Sequence, residues 1–388
     1  MPHRRHPRCG HTGAGDEGEG ALLPAPGRRR LGALGLAAAL AAVTPPRPRS
    51  PIGTVVALSS SDAFGGAEMS APAEAVDLAV GLVHEFRHMK LDAVLDCVDL
   101  YTEADGEPEH ARYYASWRDD PRPLPGYLHG VFAYFGVVDL WRRLRRDRDP
   151  AVRRRARFEF AHWRVQTGDA YTLLCASSRL TAAGREFTAM MAESAAHWTG
   201  QESVPDDLAL LAREAVIAHR LGWRAHYLRP SAGQIAELAE AWLSGAAGPP
   251  RRHVDTVFRE VRPAPGLTEY GDRLRRAACD PGGISWSTLH PVDHARLSGE
   301  TGTACRLAVD RLPREWEQPW PWIRLGLALL RQSPEAATED GDRVAAGTGD
   351  HPPPGGRQGA LRAGHRGHRQ SAGPRPAGCP DRGSGPRR

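Results

Sequence analysis

At 388 residues and 41% hydrophobic content, the chain is long enough to bury a sizeable core in one large domain or in two. Its formal charge of +5 is uneven, because residues 1–52 hold eight Arg and three acidic residues and residues 351–388 hold eight Arg and one Asp, which leaves about −7 between them. That acidic stretch has no basic groove with interleaved aromatic residues, which argues against nucleic acid as a partner.

Cysteine usage and hydropathy indicate the compartment. The segment 28–43 resembles a secretory signal, because three Arg precede an apolar run, but the run is too short to span a bilayer. An Ala-rich helix or an extension from an upstream start codon are the alternatives. The cysteines lack any C-x-x-C pair, which fits a reducing compartment and excludes a zinc ribbon or an iron–sulfur cluster; they are Cys9, Cys97, Cys175, Cys279, Cys305 and Cys379. We therefore expect a cytoplasmic protein with no membrane span.

Composition divides the chain into four parts. Residues 1–51 are rich in Gly, Pro and Arg and lack aromatic residues, which predicts a disordered segment or an extension from a mis-assigned start. Residues 52–200 are predicted to form a metal-site domain, residues 201–330 a helical part of the same or a second domain, and residues 331–388 a disordered tail. The predicted fold is mainly α-helical with a few short β-strands, one of them at residues 54–58.

The motif His84-Glu85-x-x-His88 lies inside a long apolar-periodic segment. Apolar residues recur at three- and four-residue steps over residues 73–98, which predicts a helix with Ser70 as a candidate N-cap. Residues four apart share a helix face, about 5–6 Å apart at Cβ, so both imidazoles can face one metal ion. Because the histidines lie on the apolar stripe, where a polar group needs a partner, a metal site is favoured over two separately hydrogen-bonded histidines.

A second core helix is predicted over residues 126–145, packed on the metal helix, because it is almost wholly apolar. His129 lies near its start, beside Gly130, and is the first candidate for a third metal ligand. A cap or a buried hydrogen bond is the alternative role for His129. Asp139 is the next candidate ligand, followed by Asp96, Asp99 and Glu103.

The segment 113–123 is predicted to be an irregular loop, because its prolines and paired acidic residues disfavour a helix. It nevertheless carries three aromatic residues and two Arg. Irregular segments so rich in anchoring groups tend to line a site rather than extend into solvent.

Further helices are predicted over 151–179, 181–198, 205–222 and 231–243, and short helices and loops over 263–322. Glu159 and His162 are three apart and could meet a metal. The Arg-rich stretch before them favours a solvated helix face instead.

Two chemistries fit His84, His88, a third ligand and Glu85. In one, zinc activates a water whose proton Glu85 takes, and a peptide bond is cut. In the other, Fe(II) keeps open positions for a keto acid and oxygen, and a substrate C–H bond is oxidised. Spacing alone favours the zinc chemistry, because it is the commoner use of the motif.

Four blocks of sequence resemble the HEXXH-motif peptide-modification proteins found beside, or fused to, radical SAM enzymes in ribosomal-peptide clusters. The similarity is dense from about Ile52 to Gly200 and thinner to about Leu330. The blocks are Asp62-Ala63-Phe64-Gly65, the run from Leu82 to Leu91, the run from Tyr113 to Leu124, and Leu128-His129-Gly130-Val131.

The resemblance implies an iron- and 2-oxoglutarate-dependent dioxygenase that hydroxylates β-carbons of a precursor peptide. It implies His84 and His88 as iron ligands, with His129 as the third. Arg118 or Arg122 would then bind the distal carboxylate of 2-oxoglutarate through a bidentate pair. The alternative is that these arginines pair with Asp119, Asp120 or another acid and pin the loop.

The implied partners are a precursor peptide and, further, a radical SAM enzyme of the same cluster. Glu85 would be a base beside the metal, or a ligand in place of His129. A zinc metallopeptidase is the alternative function, and a non-catalytic peptide-binding partner of a modifying enzyme is the third. The metal itself stays open, because imidazole serves iron and zinc alike.

Overall fold

The computed structural model describes residues 40–44, 57–59, 64–70, 74–102, 112–196, 198, 204–245, 256–259, 266–280 and 289–332. Within these ranges the chain has ten helices and five short strands, which confirms the mainly α-helical fold. The predicted disordered segments, 1–51 and 331–388, lie outside the described residues except for 40–44 and 331–332.

The predicted metal helix is α1, Ala75–Leu95, and the predicted second core helix is α2, Leu124–Leu144. The N-cap of α1 is Glu74, without a side-chain cap bond, so the expectation that Ser70 caps this helix is wrong. Helix α1 packs on α2 as predicted. The Arg87 guanidinium of α1 lies 4.9 Å from the ring centre of Phe132 on α2.

The remaining helices complete the described body. They are α3 Pro150–Cys175, α4 Ala182–Ala196, α5 Asp206–Tyr227, α6 Ala232–Leu243, α7 Leu267–Cys279, α8 Pro291–Leu297, α9 Thr301–Glu315 and α10 Pro319–Gln332. The part from 263 onward is more helical than expected, although Pro313 lies inside α9. Packing explains the difference, because α7 and α10 bury apolar residues against α5, and tertiary packing supplies most of a helix's stability.

Three short strands form a sheet beside α1. They are β1 Ala42–Thr44, β2 Ala57–Ser59 and β3 Gly66–Met69, in the order β1-β3-β2, with β1 parallel and β2 antiparallel to β3. The strand expected at 54–58 overlaps β2, at 57–59. The last two residues of the signal-like segment 28–43 belong to β1. Just before β3, the backbone N–H of Gly65 donates to Met89 Sδ of α1 at 3.2 Å. A second, antiparallel pair joins β4 Leu228–Pro230 and β5 Thr256–Phe258.

Helix α5 links two hydrophobic clusters. Its first half, with Leu208 and Ala212, belongs to the main core formed with α1, α2, α3 and α4. Its middle, with Ala215 and Ala218, packs against α7 and α10. All described residues fall in one compact unit, whereas a second unit, 355–388, lies outside them. The predicted division of the helical body at residue 200 stays a prediction.

None of the helices within the described ranges is both long and apolar enough to cross a membrane. The cysteines that the structure describes, Cys97, Cys175, Cys279 and Cys305, are all free thiols.

Candidate metal centre

His84 and His88 are brought together on one face of α1. Their Nε2 atoms are 3.0 Å apart, and their ring centres are 4.6 Å apart in an edge-on arrangement. Two imidazole nitrogens that each lie about 2.0–2.1 Å from one ion are themselves about 3 Å apart. The spacing of this pair therefore fits two ligands of a single metal ion.

Both rings are held in the neutral state that a metal ligand requires. Burial lowers the pKa of His84 to about 4. Burial, with a smaller effect from His84 and His129, lowers the pKa of His88 to about 3. Neutral imidazole keeps a lone pair for a metal, so the pair is ready to bind one without first losing a proton.

His129 contacts the pair from α2, but on the other side of His88. Its Nδ1 is 3.4 Å from His88 Nδ1, whereas the Nε2 of His88 faces His84. The three rings therefore form a row instead of converging on one point. Within the described ranges, no three His, Cys, Asp or Glu side chains are arranged to hold one ion.

Asp92 is the neighbour of this site that sequence reasoning missed. Its Oδ1 is 3.6 Å from His129 Nε2. The signal was present in the sequence, since Asp92 continues the four-residue row of His84 and His88 on α1. Asp139, another proposed third ligand, is engaged elsewhere and accepts hydrogen bonds from Arg142 and Arg143 at 2.6–3.0 Å. Glu103 lies outside the described residues.

Glu85 follows His84 on α1, and its side chain faces the small sheet formed by β1, β2 and β3. Its side chain is only 2% exposed and accepts a hydrogen bond from Ser59 Oγ of β2 at 2.6 Å. Burial raises the pKa of Glu85, and the Ser59 hydrogen bond acts against that shift. Met89, four residues on, also faces the sheet through its contact with Gly65. The sheet thus fixes the position of the Glu85 carboxylate.

The loop before α2 approaches the histidines through Tyr134; that this loop lines a site stays a prediction. The Trp117 ring stacks on Tyr134 of α2 at 5.1 Å, and Tyr134 meets the His84 ring edge-on at 5.3 Å. Gly130 makes this possible, because a Cβ there would lie 2.2 Å from the Trp117 indole. The loop and the metal helix are therefore separated by a single ring.

Arg118 and Arg122 share one carboxylate. Arg118 Nε donates to Asp120 Oδ1 at 2.7 Å, and Arg122 Nη1 is 3.4 Å from Asp120 Oδ2. This contact matches the loop-pinning alternative considered for these arginines. One donor remains unused, because Arg122 Nε is buried without a hydrogen-bond partner among the described residues. Two guanidinium groups on one carboxylate also leave a net positive charge.

Glu159 and His162 are buried on α3, so the expected solvated face is wrong there. Glu159 is paired with Arg275 of α7 and accepts a hydrogen bond from Trp163 Nε1 at 2.9 Å. His162 Nε2 is 2.7 Å from the Gln166 side-chain nitrogen. The Arg-rich stretch misled the sequence reasoning, because Arg275 comes from a helix more than 100 residues away.

A second polar cluster anchors the loop to α5 and α7. Tyr114 OH is 2.7 Å from His219 Nδ1 of α5. Asp119 accepts the backbone N–H groups of Leu267 and Thr268 at 3.1 and 2.9 Å, which caps the start of α7. Nothing in the sequence pointed to His219. These contacts hold the loop that carries Trp117 and Arg118.

Comparison with known proteins finds no family model that matches the chain and no matching curated protein. The geometry above therefore carries the functional argument together with the sequence motifs.

Proposed function

We propose that the protein is an Fe(II)- and 2-oxoglutarate-dependent hydroxylase that modifies β-carbons in a ribosomally made precursor peptide. The observation that carries the proposal is the His84–His88 pair, whose Nε2 atoms lie 3.0 Å apart on partly buried, neutral rings. Such a pair is the histidine part of a non-haem iron site.

In this proposal His84 and His88 hold the iron, and His129 is the nearest further nitrogen donor to His88. Bound Fe(II) with 2-oxoglutarate supplies the oxidation of a substrate C–H bond. The protein's own contribution is to keep both imidazoles unprotonated and to exclude water from them. Tyr134, which meets His84 edge-on, and Trp117, which stacks on Tyr134, form one side of that wall.

Arg118 and Arg122 are the proposed cations for 2-oxoglutarate. Arg122 Nε is a buried donor without a described partner, and such a donor costs free energy until an acceptor arrives. An incoming carboxylate can meet that donor while Asp120 keeps the two guanidinium groups in place.

The zinc-peptidase alternative needs Glu85 as a base beside a metal-bound water. The Glu85 carboxylate is instead buried against β2 and engaged by Ser59, which supports the hydroxylase over the peptidase. The non-catalytic alternative predicts peptide binding that survives loss of both histidines. We further propose a cytoplasmic protein whose partners are the precursor peptide and a radical SAM enzyme of the same cluster.

An anaerobic titration tests the proposal. Metal-free protein receives Fe(II) and then 2-oxoglutarate, and the visible charge-transfer band of keto-acid chelation is recorded. We expect the band in the native protein and in His294→Ala, an exposed histidine on α8, and its loss in His84→Ala. Absence of the band together with tight zinc binding would overturn the proposal in favour of the peptidase. Arg122→Gln should weaken 2-oxoglutarate about tenfold or more while iron still binds.

A further inference from the structure

A small cavity opens between α1, α2 and α4. Helix α1 contributes Arg87, Lys90 and Val94 to its lining. The volume of the cavity is about 260 Å³, and it is open to solvent on one side. That volume is slightly below the range for drug-sized ligands, so any occupant is small. The residues that matter here are Arg87, Lys90, Phe132, Phe187, Met190 and Met191.

The inner wall of the cavity is apolar. Phe132, Phe187 and Met191 are almost fully buried, whereas Met190 is 61% exposed at the rim. Phenyl rings and thioether chains offer no hydrogen-bond partner to a polar group, and methionine adapts to ligands of different shape. The wall therefore suits a hydrocarbon group.

Two cations lie at the edge of the cavity without a carboxylate partner. Arg87 lies over the Phe132 ring at 4.9 Å, and Lys90 lies 5.5 Å from the ring centre of Phe86. Within the part of the chain that the structure describes, neither Arg87 nor Lys90 forms an ion pair or a hydrogen bond. Lys90 is also the only lysine of the chain.

The surroundings compensate the charge of Arg87 only in part, through Asp139. Asp139 is near enough to Arg87 to act on its charge, but it is already bound by Arg142 and Arg143. Arg87 and Lys90 are three residues apart on α1 and are therefore neighbours on the helix surface, where two like charges favour a bound anion.

We propose that this cavity binds a small monocarboxylate with an apolar tail, its carboxylate on Arg87 and Lys90 and its tail against Phe132, Phe187 and Met191. The cavity is separate from the proposed iron site, because none of His84, His88 and His129 lines it. It does not depend on the hydroxylase proposal.

The single lysine makes a direct test possible. Reductive methylation with a ¹³C label keeps the charge of Lys90 and gives it one reporter signal besides that of the α-amine. The full-length protein is titrated with octanoate, octanol, octylamine and butyrate. We expect octanoate to shift the Lys90 signal saturably and to bind about tenfold more tightly than octanol, since only the carboxylate can pair with the cations.

Butyrate should bind more weakly than octanoate, because its tail buries less apolar area. Octylamine should not produce the saturable shift. Equal binding of octanol and octanoate, or of butyrate and octanoate, would overturn the proposal.

Variants separate binding from folding. Arg87→Gln should weaken octanoate about tenfold and leave octanol unchanged, whereas Arg87→Lys should retain most of the affinity for octanoate. Arg306→Gln removes an exposed arginine of α9 and is the matched control, with native affinity expected. If Arg306→Gln weakens octanoate as much as Arg87→Gln does, the effect is one of general charge and the proposal fails.

Discussion

At the scale of single residues, burial decides which protonation state each histidine keeps. His84 and His88 are partly buried and His162 is almost fully buried, and burial lowers the pKa of each. For the first two, the result is a pair of neutral rings, as the proposed metal site requires. For His162 the result is a neutral ring inside α3 that contacts the amide of Gln166.

His162 should make the protein sensitive to acid. Burial, and then the charge of Arg275, lowers its pKa to about 3. An unfolded histidine takes up a proton below about pH 6.5. Between these two values the unfolded state binds more protons, so stability falls as the pH falls, by up to about 1.4 kcal/mol for each pH unit.

His162→Gln should remove this pH-dependent contribution to stability. We expect the free energy of unfolding of the variant to be lower than that of the native protein at pH 7. At pH 4.5 the gap between the two free energies should be about 2 kcal/mol smaller. Urea unfolding of both proteins at the two pH values measures the difference. A difference that stays the same at both pH values would show that His162 does not titrate in this way.

At the scale of elements, the contact between the loop and α2 determines what surrounds the histidines. Trp117 reaches Tyr134 across a helix face that Gly130 leaves bare. Glycine inside a helix usually costs about 0.5–1 kcal/mol relative to alanine. At residue 130 that cost is offset by the packing of the loop.

Gly130→Ala should therefore destabilise the protein, by about 1–3 kcal/mol, because the new Cβ overlaps the Trp117 indole. Gly168→Ala on α3 is the matched control, since a Cβ there meets no atom within 4 Å. It should stabilise by up to about 1 kcal/mol. Urea unfolding measures both, and tryptophan fluorescence reports movement of the loop. Equal effects of the two substitutions would contradict the packing argument.

At the scale of the whole molecule, a buried ionic network joins the C-terminal helices to α5. Arg296 of α8 and Glu214 of α5 are fully buried and paired. Arg331 of α10 also binds Glu214, at 2.5 Å. Arg296 Nη2 donates to Tyr270 of α7 at 2.9 Å, and the Tyr270 hydroxyl donates to Asp293 of α8 at 2.7 Å. Four helices thus depend on one set of charges.

Glu214→Gln should cost about 3–5 kcal/mol, because it removes the anion that Arg296 and Arg331 share at a buried site and leaves Arg296 only the longer ion pair with Asp293. Glu269→Gln breaks an exposed Glu–Arg pair on α7 and is the control, with an expected cost below about 1 kcal/mol. Chemical denaturation compares them. A similar small loss for both would mean that the network is solvated in solution.

Much of the fold could be predicted from periodicity. Helices α1 to α6 lie within a few residues of the predicted ranges, because an apolar stripe at three- and four-residue steps is a local property. The C-terminal helices α7 and α10 were underestimated, since their stability comes from packing against α5.

By itself, the sequence determined that His84 and His88 share a helix face and that residues 113–123 form a loop rich in aromatic residues, because backbone geometry settles both locally. Only the tertiary structure decided that His129 meets the far nitrogen of His88, that Asp120 binds Arg118 and Arg122, and that Glu159 is buried on Arg275. These pairings depend on side-chain rotamers and on segments distant in sequence, whose relative positions follow from packing of the whole core.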